Sequence, residues 1–158
     1  MHKYISMDDM AGIIKEQFEA GGEEVKFTPR GNSMLPMLRN DRDVVILVRP
    51  KCKMKKYDIP LYKRDDGKYV LHRIVGISGD GNYILCGDNQ VVREYGIRDD
   101  QIIGVVSAYI KNGKKKTVNN FGYRIYCHIW VFIMPLRKCK RKLRRIAGRI
   151  KRKLKTFI

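Results

Sequence analysis

No acidic residue follows Asp100. Residues 101–158 hold 17 Lys and Arg and no Asp or Glu, whereas residues 1–100 hold 17 basic and 16 acidic residues. The formal net charge of +18 over 158 residues thus belongs to the C-terminal part, and a nearly neutral body must be read apart from a cationic tail. There is no C-x-x-C spacing among Cys52, Cys86, Cys127 and Cys139. That excludes the usual zinc-ribbon signature, offers no disulfide framework, and fits reduced thiols in a cytoplasmic setting. There is no long apolar run: the most apolar stretch, residues 125–136, falls well short of the roughly 20 residues that a spanning helix needs. The first 20 residues are interrupted by Asp8, Asp9 and Glu16, so no secretory signal is expected. Histidine is scarce, at three, which leaves few candidates for a neutral base. No internal repeat occurs.

What is present is a 44% hydrophobic share, enough for one domain with a core plus an appendage. Met10, Ile13, Ile14 and Phe18 recur at helical spacing, which predicts a short helix over 7–20, within an N-terminal unit 1–22 that ends at Gly21-Gly22. Short β-type runs follow at 24–28, 43–49, 58–63, 68–77, 82–86 and 101–110. They are separated by turn clusters such as Asp65-Asp66-Gly67 and Ser78-Gly79-Asp80-Gly81-Asn82. Strands this short, with turns this regular, predict a mainly β, antiparallel body over 23–110. Residues 111–116 (KNGKKK) read as a basic turn.

The tail, 111–158, has two parts. Residues 125–136 are apolar and aromatic. From Leu136, the positions Cys139, Leu143, Ile146, Ala147, Ile150, Leu154 and Phe157 step by three and four among 12 Lys and Arg, the pattern of a basic amphipathic helix over 136–158. Such a tail packs on the body, lies on an anionic membrane surface, or holds nucleic acid without specificity. The adjoining Trp130-containing apolar stretch favours the membrane, since it has no use on nucleic acid; nucleic acid is not expected as a partner.

The chemically informative stretch is Gly31-Asn32-Ser33-Met34-Leu35-Pro36-Met37-Leu38, a loop bracketed by Gly and Pro ahead of a β-type run. A serine so placed usually serves only as a loop hydrogen bonder; a nucleophile also needs a base and an oxyanion donor. His2 is terminal and His128 lies in the apolar tail. His72, inside the β-type run 69–75, is the base candidate. A third cluster, Cys86-Gly87-Asp88-Asn89-Gln90 followed by Glu94, supplies an acid that could orient an imidazole.

Taken in order, these segments resemble the serine peptidase clan of type I signal peptidases and LexA-type self-cleaving proteins. The nucleophile box of that clan, S-M-x-P-x-L, is matched by Ser33–Leu38. A segment like G-D-I-V-x-F is matched by Tyr57-Asp58-Ile59-Pro60-Leu61-Tyr62. The base box is matched by His72-Arg73-Ile74-Val75, with His-Arg as in the endoplasmic-reticulum and archaeal type. G-D-N is matched by Gly87-Asp88-Asn89, and D-x-I/V-G by Asp99–Gly104. The likeness spans roughly residues 25–108. It implies an antiparallel, partly coiled β-sheet peptidase domain, with Ser33 as nucleophile, His72 as general base, and Asp88 or Glu94 orienting the imidazole. Gly31, Asn32, Met34 and Pro36 would shape the nucleophile and oxyanion loop. Ile59 and Leu61 would lie on an edge strand 58–62, marked by Pro60, to which a peptide or preprotein adds as a further strand. Cleavage would follow small side chains, with no metal or cofactor.

The chain departs from the family at three points: the membrane anchor, Gly31, and Pro60 in place of an apolar strand residue. The N-terminal membrane anchor is not seen, so the expected location is cytoplasmic or peripheral at a membrane. Gly31 stands where many relatives place a Ser or Thr oxyanion donor, which leaves the Ser33 N–H as main donor and predicts that Gly31→Ser raises the rate. Arg73 reads as a solvent-facing cation or a partner for an acid. Two alternatives stay open. One is a self-cleaving regulator, with Ala11–Gly12 and Ala147–Gly148 as candidate bonds but only about 30 residues ahead of Ser33 for a DNA-binding domain. The other is a non-catalytic binding module on the same fold.

Overall fold

Runs of β-branched residues flanked by Gly and Asp turns form the frame of this chain. The computed structural model describes residues 7–137 together with 139 and 143. In chain order these comprise α1 (Met7–Glu19), β1 (Glu24–Phe27), β2 (Val44–Val48), β3 (Pro60–Lys63), β4 (Tyr69–Leu71) and β5 (Arg73–Ile77). They continue with β6 (Tyr83–Cys86), β7 (Glu94–Ile97), β8 (Ile102–Lys111), β9 (Lys114–Thr117) and α2 (Phe121–Phe132). All pairings are antiparallel. One sheet runs β1-β2-β8-β3-β4, with β9 also on β8, and a second runs β5-β6-β7. β8 is the spine: residues 105–110 pair with β2, while β3 and β9 share its other edge over 102–105 and 108–111.

Both faces of the larger sheet are covered. On one side Ile14 and Phe18 of α1, Met34, Met37 and Leu38 of the loop after β1, and Tyr123 and Cys127 of α2 pack on Val45, Leu47, Leu61 and Val106. On the other, Tyr62 meets Ile74, Tyr83, Leu85 and Ile97 of the second sheet. Leu61 and Tyr62 point opposite ways from β3, as successive strand residues do, and each is fully buried. Within α1, Met10, Ile14 and Phe18 face inward, while Ile13 is 39% exposed and so falls outside the stripe assigned to it.

Several expectations need correction. The run 68–77 is not one strand. It breaks at His72, with β4 in the larger sheet and β5 in the smaller. β7 and β9 did not stand out in the sequence. β9 is Lys-Lys-Lys-Thr with all four residues exposed, so it has no apolar pattern; it forms because Asn112 and Gly113 both take positive φ, 53° and 73°, the hairpin turn that Asn-Gly favours. Pro60 does not mark an edge. β3 is flanked by β8 and β4, and Pro60 is tolerated as the first residue of the strand, where a missing N–H costs least. Ile59 and Leu61, proposed as substrate contacts, are buried at 1% and 0% exposure and cannot meet a peptide. The free edge at this end of the sheet belongs to β4, which pairs only with β3 among the described strands.

Leu61→Ala is therefore expected to behave as a core truncation, lowering stability by about 2–5 kcal/mol in denaturant melts. A change in peptide affinity with unchanged stability would restore Leu61 as a substrate contact.

Candidate active site

His72 lies where the chain passes from β4 in one sheet to β5 in the other. It is 1% exposed, so its ring nitrogens must find partners inside the protein. Nδ1 lies 3.0 Å from Oε1 of Glu94 and 3.3 Å from the Tyr62 hydroxyl. Tyr62 in turn donates to Oε2 of Glu94 at 2.8 Å, and Arg64 grips the same carboxylate, Nε to Oε2 at 2.7 Å and Nη2 to Oε1. Burial pushes the Glu94 carboxyl up, but the hydrogen bonds from His72, Arg64 and Tyr62 outweigh it and hold its pKa at about 2. Burial, reinforced by Glu94, raises the Tyr62 phenol well above its ordinary range, so Tyr62 remains a donor. An ionised Glu94 accepts a hydrogen bond from an Nδ1–H of His72, a tautomer that leaves the lone pair on Nε2.

Nε2 faces Gly87. A β-carbon added there would stand 3.0 Å from His72 Nε2 and 2.7 Å from the Ser33 carbonyl oxygen. Base and serine loop thus approach one another across a residue that has no room for a side chain. The Ser33 carbonyl accepts from the Asn89 N–H at 2.7 Å, and the Asn89 amide donates to the Asn32 carbonyl at 3.0 Å, so the Gly87-Asp88-Asn89 turn is stitched to the serine loop. Ser33, half-buried, and His72 line one cavity of about 240 Å³, whose other walls include Pro29, Met34, Tyr69 and Leu71.

The serine loop is held from beneath. Met34 is buried in the core, whereas Asn32 and Pro36 are exposed. Asp43, fully buried, takes the Arg39 N–H at 2.9 Å and the Arg39 guanidinium at 2.6 Å. Lys111 on β8 donates to the carbonyls of Pro36 and Met37 at 2.7 and 3.0 Å. The Gly31 N–H is spent on Asn40 Oδ1 at 2.6 Å, while the Ser33 N–H has no acceptor among the described residues, which leaves it available to an oxyanion. Gly31 has φ +99°, a conformation that serine adopts only with strain. Gly31→Ser is therefore expected to disturb the loop rather than supply a donor.

Asp88 does not orient His72. Its carboxylate is taken by Arg73, Nε to Oδ1 at 2.8 Å and Nη2 to Oδ2 at 2.7 Å, and by the Tyr126 hydroxyl at 3.2 Å. The assignment left open between Asp88 and Glu94 falls geometrically to Glu94. Arg73 is no surface cation: it is 0% exposed, and its Nη1 reaches the Tyr123 hydroxyl at 2.6 Å and Cys127 Sγ at 2.9 Å. Both contacts come from α2.

Sequence reasoning missed Tyr62, Arg64, Asn40, Asp43 and Lys111. Tyr62 closes the Tyr57–Tyr62 box but had no role assigned there; the other four belong to no box and act through register and loop closure, which a linear pattern does not show. The described Cys, His, Asp and Glu residues form no group of three that could hold a metal. The candidate self-cleavage bond Ala11–Gly12 lies inside α1 with Ala11 2% exposed, so it is not an extended strand that a cleft could bind. Ala147–Gly148, His2 and most of the expected basic helix lie outside the described residues.

Four outcomes are expected. Glu94→Gln should lower kcat by roughly 10²–10⁴-fold in a folded protein, as loss of an imidazole-orienting acid does. Asp88→Asn should instead cost about 3–5 kcal/mol in denaturant melts by leaving Arg73 buried without its anion. A reversal of these two effects would give Asp88 the orienting role. In acid, Glu94 binds its proton less readily folded, at about 2, than at its ordinary 4.5. Its contribution to stability is thus present above about pH 4.5 and is lost as pH falls toward 2; Glu94→Gln should flatten that part of a Tm–pH curve. Gly87→Ala should push the serine loop and His72 apart, costing about 1–3 kcal/mol and most of the activity. A fully active variant would separate Gly87 from the site.

Neither a protein-family model nor a curated protein sequence matches the chain.

Proposed function

We propose that this protein is a serine endopeptidase of the signal-peptidase kind, cutting leader or signal peptides after small residues. The observation that carries the proposal is His72, whose Nδ1 meets Glu94 and Tyr62, with Arg64 gripping the same Glu94 carboxylate, and whose Nε2 is turned toward the Ser33 loop across Gly87. The carboxylate that meets His72 is itself held ionised, and His72 and Ser33 line one cavity. This arrangement suits proton abstraction near neutral pH.

In the proposed reaction Ser33 Oγ attacks the scissile carbonyl carbon as its proton passes to His72 Nε2. The resulting imidazolium is stabilised by Glu94, and the oxyanion is met by the Ser33 N–H. Collapse of the tetrahedral intermediate breaks the C–N bond, and Nε2 returns the proton to the leaving amine. An acyl ester remains on Ser33. Water, deprotonated by the same nitrogen, hydrolyses it and restores the hydroxyl.

The peptide is placed along β4. That strand has an edge without a strand partner among the described residues, and its residues Tyr69, Val70 and Leu71 line the cavity together with Pro29, Arg30 and Gly31. An extended peptide between the two segments would add to the sheet through its main chain. The modest cavity suits small side chains next to the cut bond.

Incubating a leader-peptide library with the wild type and with Ser33→Ala, read by mass spectrometry, tests this reading. Cuts after small residues made by the wild type and absent from the variant are expected. Equal cutting by both would remove Ser33 from the chemistry, and no cutting by a folded wild type, with or without membranes, would favour a silent binding module.

A further inference from the structure

The apolar stretch of the tail forms α2, and its two sides have different fates. Tyr123, Tyr126, Cys127 and Trp130 turn inward, with Tyr123 and Cys127 buried and Trp130 Nε1 donating to the Asp88 carbonyl at 2.9 Å. Phe121, Ile125, Ile129 and Phe132 turn outward, at 79%, 44%, 55% and 81% exposure, followed by Leu136 at 66% where helical backbone resumes over 134–137. At about 100° per residue, the first four fall within roughly 80° of arc. A continuous row of large exposed apolar side chains is rare on a protein that meets only water.

The charges around this row are of one sign. Arg124, exposed, flanks it on α2. His128 packs on Tyr57, their ring centroids 4.6 Å apart, and Lys56 stands 5.3 Å from that same ring. β9 supplies three exposed lysines immediately before α2 in the chain, and no acid occurs anywhere in residues 101–158, whose 17 basic residues include 12 beyond position 135. None of the described helices is long and apolar enough to cross a membrane.

We infer that the outward face of α2 docks on an anionic lipid surface, with the helix lying in the interface plane. Apolar side chains along one face give insertion into the headgroup boundary, and surrounding cations are attracted to acidic headgroups. A duplex nucleic acid would use the cations and leave the apolar row in water. A second copy would bring two strongly cationic surfaces together. The lipid surface alone uses both features. Because the inward face of the same helix holds Arg73 and Asp88, docking leaves the body seated on α2 and needs no unfolding of the helix. This inference stands independently of the peptidase reading.

Flotation of the full chain with phosphatidylglycerol–phosphatidylcholine vesicles, and with phosphatidylcholine vesicles alone, is the test. It compares wild type with the double variant Ile129→Ser, Phe132→Ser, whose substituted side chains touch solvent and keep the inner face intact; circular dichroism and the thermal midpoint check the fold. Wild type is expected to float with the anionic vesicles only, and the variant to lose about tenfold or more in partitioning. Equal flotation of variant and wild type would assign the binding to charge alone and overturn the docking face. So would a concentration-dependent wild-type dimer that the variant abolishes, or tight retention on duplex DNA with no vesicle binding.

Discussion

The buried pair of Arg73 and Asp88 is the constraint on which the rest of this structure depends. Neither side chain meets water, and a charge so placed is tolerable only when every donor and acceptor is answered. The answers come from three places: Tyr57 and Met37 in the body, Asp88 on its turn, and Tyr123 and Cys127 on α2. Burial disfavours the cation, but Asp88 more than compensates, and Arg73 is held charged. Tyr123 and Tyr126 add ring faces, 5.4 and 5.7 Å from the guanidinium carbon. The pair thereby locks the C-terminal helix to the β body.

Its position in the chain makes it more than a clasp. Arg73 follows His72, and Asp88 follows Gly87. Fixing one ion pair therefore fixes two neighbouring backbone segments, the one that carries His72 and the one that separates it from Ser33. Glu94, Tyr62 and Arg64 then set the ring from its other side. The imidazole is held between a structural lock and an acidic anchor, in a place where the chain changes sheets. Small misplacement of such a residue is costly in a catalyst, and the surrounding hydrogen bonds resist it.

Much of this was legible in the sequence, and the failures have physical causes. β2 and β8 show as apolar, β-branched runs because both faces are covered, and α1 shows through Met10, Ile14 and Phe18. The serine, histidine and Gly-Asp-Asn segments stood out as separate boxes, and the structure gathers them. The partner of His72 did not stand out, since Asp88 and Glu94 are equivalent in a linear reading and only the hairpin of β6 and β7 turns one toward the ring. Arg73 read equally as a surface cation or as a partner for an acid, because burial of a guanidinium depends on partners 15 and 50 residues away. β4 and β5 read as one strand since nothing local marks the change of sheet at His72. The stretch 125–136 read as simply apolar and aromatic, whereas packing divides α2 into a buried and an exposed side.

The central claim is that Ser33 and His72 act as one chemical unit. The most direct measurement is a double-mutant cycle, comparing kcat/KM for cleavage of one identified peptide by wild type, Ser33→Ala, His72→Ala and the double variant. The account requires the double variant to be no slower than either single one, because removing either residue already abolishes proton-coupled attack. Losses that simply add would mean that the two residues contribute separately, and would contradict it.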